Sequence, residues 1–266
     1  MEASSETLTA WAALRAARAD RRAALPNHPM VDLFAPVVAP AKGADACVVI
    51  GRLAQTLDGR IATQGGSSQW IGGRGDILHT HRLRALCDAV LVGAGTVEQD
   101  DPRLTTREVE GESPVRVVLD PSRRLPVERR VFGDGGPPTI LACTADAPGG
   151  DRHGQAEVMR LPRGASGGLD LFALLRALHA RGLSRIFVEG GGVTVSSFLA
   201  AGLLDRLHVT VAPVILGSGR AAFILPEASR IADGLRFDWT PHRLEGGDML
   251  FDIRLDRARP RVCEGA

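Results

Sequence analysis

The chain has 266 residues, 44% of them hydrophobic and 24% charged, which suits one large domain with a real core and excludes a disordered chain. Its 32 basic and 31 acidic residues leave a formal net charge of +1, which argues against a nucleic acid or an anionic membrane as the main partner. Any anionic ligand must then be held by a few local groups.

No apolar run is long enough to span a bilayer, and the opening M-E-A-S-S-E-T lacks the basic-then-apolar order of a secretory signal. The four cysteines (Cys47, Cys87, Cys143, Cys263) are scattered without C-x-x-C spacing, so the expectation is a cytoplasmic protein with ordinary thiols. Residues 7–25, rich in Ala and Arg, predict a helix. The run Pro26 to Pro29 (P-N-H-P) breaks the chain, and Pro36 to Gly43 (P-V-V-A-P-A-K-G) reads as a linker. Residues 1–43 are therefore expected as a helical extension and linker, 44–258 as the main domain and 259–266 as a tail.

From Cys47 onward, apolar runs of strand length alternate with helical patterns. C47-V-V-I50, A89-V-L-V92, V115-R-V-V-L119, T139-I-L-A-C143, R185-I-F-V188 and L207-H-V-T-V211 read as interior strands. R236-F-D-W239 and M249-L-F-D-I-R-L255 read as a late edge hairpin. Helices are predicted over Arg74 to Leu86, from the N-cap Asp170 to Gly182, and over Thr194 to Ala201. The alternation predicts an α/β fold: a mostly parallel central sheet with an antiparallel C-terminal edge hairpin, flanked by helices.

In I186-F-V-E-G-G-G-V-T-V-S196 a buried strand ends in an acid, three residues without Cβ follow, and a helix begins. Free N–H groups and the helix dipole make such a place an anion site, to which the hydroxyls of Thr194, Ser196 and Ser197 add donors. The alternative is a tight turn that merely packs a helix. The G-x-G-x-x-G frame of dinucleotide folds fails here, with Val195 in its last position. A second strand end, V92-G-A-G-T96, has similar chemistry and runs on to the acidic pair Asp100 and Asp101. Two such turns in one parallel sheet point to one crevice over the strand C-termini and to a cofactor with several phosphates. Glu189, acidic at the end of a buried strand, has the best single-residue case for a role, since burying a carboxylate without one is costly. Asp58 before Gly59 is by itself a turn residue. His79 and His81 lie two apart on a helix and so on different faces, so no metal pair is expected there.

Several motifs then combine in order: L53-A-Q-T-L-D-G-R-I-A62, S68-Q-W-I71, H81-R-L-R-A85, D88-A-V-L-V-G-A-G-T-V-E-Q-D-D-P-R-L-T105, the run Pro114 to Asp120 (P-V-R-V-V-L-D), V188-E-G-G-G192, F198-L-A-A-G-L-L-D205 and A212-P-V-I-L-G-S-G219. Over about residues 47–256 the set resembles the reductase domain of the riboflavin-biosynthesis deaminase/reductase family. The resemblance implies a dihydrofolate-reductase-like fold, a homodimer, and NADPH-dependent reduction of a phosphorylated ribosylaminopyrimidine to its ribitylamino form. It further implies that Trp70, Gly95, Thr96, Asp100 and Gly190, Gly191, Gly192, Val193, Thr194, Val195, Ser196 and Ser197 hold NADPH. Ser68, Arg84, Leu104, Arg107 and Glu189 would hold the substrate, with the two arginines clamping its phosphate and Glu189 or Asp58 serving the proton chemistry. Arg123 and Arg124 are candidates for the cofactor's 2′-phosphate.

The zinc deaminase motifs H-x-E and P-C-x-x-C of the bifunctional proteins are absent, which implies a stand-alone form and a separate deaminase as partner. Arg52 stands where the family often has lysine, Gln55 where it has a small residue, Pro121 where it has a polar one, and Gly192 where proline is common. These departures leave open a related reductase of a pterin-like or specialised-metabolite substrate. A catalytically silent nucleotide-binding or interaction protein is the remaining alternative.

Overall fold

The computed structural model describes residues 4–20, 22–41, 43–69, 71–165 and 167–255. The chain opens with two helices, α1 (Ser5–Ala19) and α2 (Pro29–Val38), followed by the strands β1 (Val48–Thr56) and β2 (Arg60–Thr63). Then come α3 (Arg74–Leu86), β3 (Ala89–Gly93), α4 (Ala94–Asp100), β4 (Val115–Leu119), β5 (Thr139–Thr144), β6 (Arg152–His153) and β7 (Ala156–Leu161). The last part holds α5 (Leu171–His179), β8 (Arg185–Glu189), α6 (Gly192–Ala200), β9 (Arg206–Ala212), β10 (Gly219–Ala221), β11 (Trp239–Arg243) and β12 (Met249–Arg254).

Among the described residues ten strands form one sheet in the order β11-β12-β9-β1-β8-β3-β4-β5-β7-β6. From β9 to β7 every neighbour is parallel, and antiparallel strands close both ends: β12 with β11 at one, β6 at the other. The interior strands are the apolar runs of the sequence, because a sheet covered on both faces leaves no polar side for alternation. This is the mostly parallel α/β sheet with a C-terminal edge hairpin that the sequence predicts.

The predicted linker at Pro36–Gly43 is helical as far as Val38. Pro29 sits in the first turn of α2, where its missing N–H costs nothing, and the His28 ring nitrogen accepts the Met30 N–H at 3.1 Å. The supposed extension forms much of one core layer. Ala10, Trp11 and Leu14 of α1 and Phe34 and Val37 of α2 pack with Val48, Ile50, Leu83 and Leu86 on one face of the sheet. On the other face α5 and α6 bury Leu174, Leu178, Phe198 and Leu199.

The first hairpin strand is Trp239–Arg243, later in the chain than the predicted 236–239, and Trp239 pairs with Ile253. Pro241 lies within it, which only an edge strand tolerates. Strand β7 and helix α4 have no counterpart in the prediction. Glu157 and Arg160 interrupt the apolar run of the first, and the second begins in small residues that read as a turn. Cys47, Cys87 and Cys143 are buried, while Cys263 lies outside the described residues.

Candidate active site

A cavity of about 990 Å³ opens over the C-terminal ends of β1, β3 and β8. Both glycine-containing turns line it, Gly93 to Thr96 after β3 and Gly190 to Thr194 after β8. They face each other closely. A Cβ on Gly93 would lie 2.4 Å from the Thr194 hydroxyl, and one on Gly191 would lie 3.0 Å from that of Thr96. Only residues without side chains let the two turns approach this far. Gly190 has φ +86°, in the left-handed region, so the chain turns sharply out of β8. A Cβ on Gly95 would meet nothing, so the first turn also leaves room for a ligand. Backbone N–H groups at the start of α6 and open space beside Gly95 make a cradle that fits the phosphates of a dinucleotide.

The rest of the wall comes from α3, from β1 and from the segment after α4. Helix α3 contributes Asp76, Ile77, Thr80, His81 and Arg84, which follow one face at helical spacing. Strand β1 contributes Arg52, which stands opposite Glu189 in register. The carboxylate of Glu189 is gripped by Arg84: Nε donates to Oε2 at 2.8 Å and Nη2 to Oε1 at 2.5 Å. The Arg84 Nη1 donates to the Thr105 carbonyl at 2.9 Å. The two side chains are 8% and 13% exposed, so the pair is held in the wall, away from bulk water. Burial by itself raises the Glu189 carboxyl, but the Arg84 guanidinium, with Arg52 and His81, outweighs it and the net shift is downward. Glu189 is therefore a carboxylate at neutral pH.

Beside this pair, Arg52 and Asp76 form a second buried ion pair. Ser68 donates its hydroxyl to Asp100 at 3.0 Å, which ties an expected substrate position to an expected cofactor position. Leu104 is buried in the wall at φ +55°, and Asp101 has φ +39°. Two non-glycine residues in the left-handed region within four positions mark a segment that surrounding contacts force into shape. One such contact is the Asp101 carboxylate accepting the Arg130 N–H at 2.8 Å.

The positions expected from sequence divide clearly. Ser68, Arg84, Leu104, Arg107 and Glu189 all line the cavity, as do Gly95, Thr96, Asp100, Gly190 to Thr194, and Ser197. Val195 and Ser196 do not face it. Val195 is fully buried in the core, and the Ser196 hydroxyl accepts the Ile224 N–H at 2.8 Å, anchoring the chain after β10. Ser197 lines the cavity, but its hydroxyl donates to the Val193 carbonyl at 2.8 Å. Asp58 is not in the wall either. Its carboxylate accepts the Thr56 hydroxyl at 2.5 Å and the N–H groups of Leu216 and Gly217 at 3.2 and 2.7 Å. The Thr56 hydroxyl bond leads the causes that lower its carboxyl to about 2, so Asp58 holds no proton to give at neutral pH. It fastens the β1–β2 turn to the chain after β9. Trp70 lies outside the described residues.

Of the two arginines after β4, Arg123 is consumed locally. It donates to the carbonyls of Pro148, Gly150 and Arg152. Arg124 lines the cavity and pairs with Glu98 at 2.9 Å while half-exposed. Missed by the sequence reading as site residues are Asp76, Thr80 and His81. The last stood inside a quoted motif without a role, and the helical spacing to Arg84 was the available signal.

A pocket over the C-terminal strand ends, between two glycine turns and a buried ion pair, is the arrangement of an α/β enzyme. The chain belongs to the RibD C-terminal domain family, whose model matches residues 48–249. It is 39% identical over 213 residues to the 2,5-diamino-6-ribosylamino-4(3H)-pyrimidinone 5′-phosphate reductase of Methanothermobacter thermautotrophicus, covering 77% of this chain and 96% of that protein. To the riboflavin biosynthesis protein RibD of Aquifex aeolicus it is 39% identical over 167 residues, which is 62% of this chain and 46% of that one. The chain thus spans nearly all of the archaeal relative and about half of the longer one. Its fold matches that of a diaminohydroxyphosphoribosylaminopyrimidine deaminase/5-amino-6-(5-phosphoribosylamino)uracil reductase from Thermotoga maritima with a TM-score of 0.66 and 29% identity, over 79% of this chain and 57% of that one.

Proposed function

We propose that the protein reduces the ribosyl group of a phosphorylated ribosylaminopyrimidine to the ribityl form, as a step of riboflavin biosynthesis in the cytoplasm. The substrate is the 2,5-diamino-pyrimidinone or the corresponding aminouracil, and the reductant is NADPH. The observation that carries this reading is the apposition of the two turns, Gly93–Thr96 and Gly190–Thr194, in one cavity with the Arg84–Glu189 pair. The turns, with Asp100 and Ser197, are the residues that would hold the cofactor; Ser68, Leu104, Arg107 and Glu189 would hold the substrate. Trp70 keeps a cofactor role on the resemblance alone. Arg124 takes the cofactor's 2′-phosphate, since Arg123 is committed to backbone carbonyls.

When bound, the nicotinamide supplies a hydride to C1′ of the opened ribosylamine, whose nitrogen gains a proton. The protein's part is orientation and electrostatics. Glu189, ionised by its arginine, stabilises the positive charge of the protonated imine and is not the proton source. Arg84 keeps Glu189 charged and aimed, and this replaces the expected phosphate clamp, because its fork already faces the carboxylate. Arg107 remains as the phosphate cation, half-exposed and 3.9 Å from the Glu108 carboxylate.

The test is NADPH oxidation, followed by absorbance, with each of the two pyrimidine compounds. Turnover with either supports the reading, and no oxidation with both overturns it. A homodimer belongs to the same reading. Among the described residues strand β11 ends the sheet with no further strand beyond it, and Ile224, Ile231 and Leu235 on the segment leading to it, with Trp239 at its start, are exposed. Sedimentation of the wild type and of Trp239→Glu is expected to give a dimer and a monomer respectively. A separate deaminase is the upstream partner proposed.

A further inference from the structure

His81 is a titratable side chain of the cavity wall that the chemistry above leaves unused. It is 2% exposed, lies one helical turn before Arg84, and lines the same cavity as Arg107. Its Nδ1 accepts the backbone N–H of Arg107 at 3.0 Å. An imidazole that accepts at Nδ1 carries its one proton on Nε2. Among the described residues nothing accepts a hydrogen bond from that Nε2. Burial, then Arg84 and Arg107, hold the ring well below its ordinary value, at about 4, against the opposing pull of Glu189 and Glu108.

Arg84 is already engaged in this part of the wall: its Nε and Nη2 donate to Glu189 and its Nη1 to the Thr105 carbonyl, so three of its five N–H groups are used and a buried carboxylate offsets its charge. An oxygen of a ribosyl phosphate that meets Arg107 gains from a further donor on the same patch of wall. His81 lies beside Arg107 with an unclaimed N–H. A neutral donor there supplies direction without placing a third cation next to Arg84 and Arg107.

We propose that His81 is a further substrate-binding residue, its Nε2–H donating to an oxygen of the ribosyl phosphate chain beside Arg107, with its tautomer fixed by the Arg107 backbone N–H. This rests on the reductase reading for the identity of the substrate. The geometry itself asks only for a phosphorylated sugar.

Two substitutions separate the two ring nitrogens. His81→Asn keeps an acceptor near Nδ1 but loses the donor at Nε2, whereas His81→Gln keeps a donor at the Nε2 reach and loses the acceptor. The expected result is a rise in substrate KM of about 10- to 100-fold for Asn, the range of a lost hydrogen bond to a charged group, with NADPH affinity unchanged. Gln is expected to recover most of the loss. The idea fails if Asn keeps the wild-type KM while Gln raises it, because the ring then only anchors the Arg107 segment. It also fails if both raise it equally with NADPH binding intact. Independently of folding in the variants, nitrogen NMR of wild-type histidines is expected to show the His81 Nε2–H resonance shifting on addition of ribose 5-phosphate; no shift overturns the proposal. Should wild type bind ribose 5-phosphate at His81 yet oxidise no NADPH with either pyrimidine, the reductase reading fails and the sugar-phosphate site stands.

Discussion

At the scale of single residues, the decisive feature is that Glu189 and Arg84 are committed to each other. A bidentate pair that is 8% and 13% exposed keeps Glu189 ionised and fixes the direction of its carboxylate in the cavity wall. Glu189→Gln removes the charge while keeping the shape, so kcat is expected to fall by at least about 100-fold with the NADPH dissociation constant little changed. Glu189→Ala strands the Arg84 cation and is expected to cost roughly 3–5 kcal/mol of stability, read by urea unfolding. An equal loss of activity in both variants with no difference in stability would contradict this account. Glu189 was legible as a candidate because a carboxylate at the end of an apolar strand is expensive to bury. Its partner was not, because Arg84 on a polar-looking helix face has no local signature. Asp58 misled for the opposite reason: its motif is local and visible, but its lone pairs are taken by Thr56, Leu216 and Gly217.

Among the elements, α3 builds one wall of the cavity with Asp76, Ile77, Thr80, His81 and Arg84, and the C-terminal hairpin holds it in place. The N-cap of α3 is Gly73, which has no side chain to cap the helix. The Asp248 carboxylate, 3% exposed, accepts the Gly73 N–H at 2.6 Å from the tip of the β11–β12 hairpin. The Gly75 N–H donates to the Glu245 carbonyl at 3.0 Å, and a Cβ on Gly75 would lie 2.5 Å from that oxygen. Half-way along, His79 meets His208 at 3.1 Å, and His208 in turn reaches Asp252 of β12 at 3.3 Å. Asp248→Ala is therefore expected to raise the substrate KM about tenfold while NADPH binding persists, since the two glycine turns follow β3 and β8 and are not capped by Asp248. Asp248→Asn, which keeps an acceptor, is expected to restore most of it, and Michaelis constants for both ligands check the split. Phe34 of α2 packs on the same His79 ring, tilted, at 5.2 Å between centroids. Phe34→Ala is expected to cost about 3–5 kcal/mol in chemical unfolding, the size of a large cavity in a core that residues 1–43 help to form.

At the scale of the whole molecule, buried neutral histidines tie stability to pH. Burial, followed by His208 and the cations Arg52 and Arg82, puts the His79 ring well below its ordinary 6.5, and burial with Arg84 and Arg107 puts His81 at about 4. A histidine whose folded-state value is lowered binds its proton more readily once unfolded. Stability is then fully present above about pH 6.5 and declines as the pH falls through the unfolded-state value, by about 1.4 kcal/mol per unit for each group. Between pH 7.5 and 5.5 the two rings together are expected to remove roughly 2–3 kcal/mol, measured by urea unfolding at the two values. A free energy that does not change over that range would show that these rings take up protons in the fold.

The sequence by itself determined the parallel sheet, because interior strands must be apolar on both faces and so announce themselves as unbroken runs. It also determined the two glycine turns, because close backbone approach excludes a Cβ whatever surrounds it. The ordered motifs from Leu53 to Gly219 carried the family. What only the tertiary structure decided is which polar atoms are already taken. Arg84 is spent on Glu189, Ser196 on Ile224, Asp58 on a neighbouring turn and Arg123 on three carbonyls, while the Nε2 of His81 and the cavity side of Arg124 remain. Ser196 and Ile224 are 28 residues apart in the chain and Asp58 and Leu216 158, separations that leave no periodicity to read. Hydrogen-bond commitment is a property of the folded neighbourhood, and it is what separates a residue of the right type from a residue free to act.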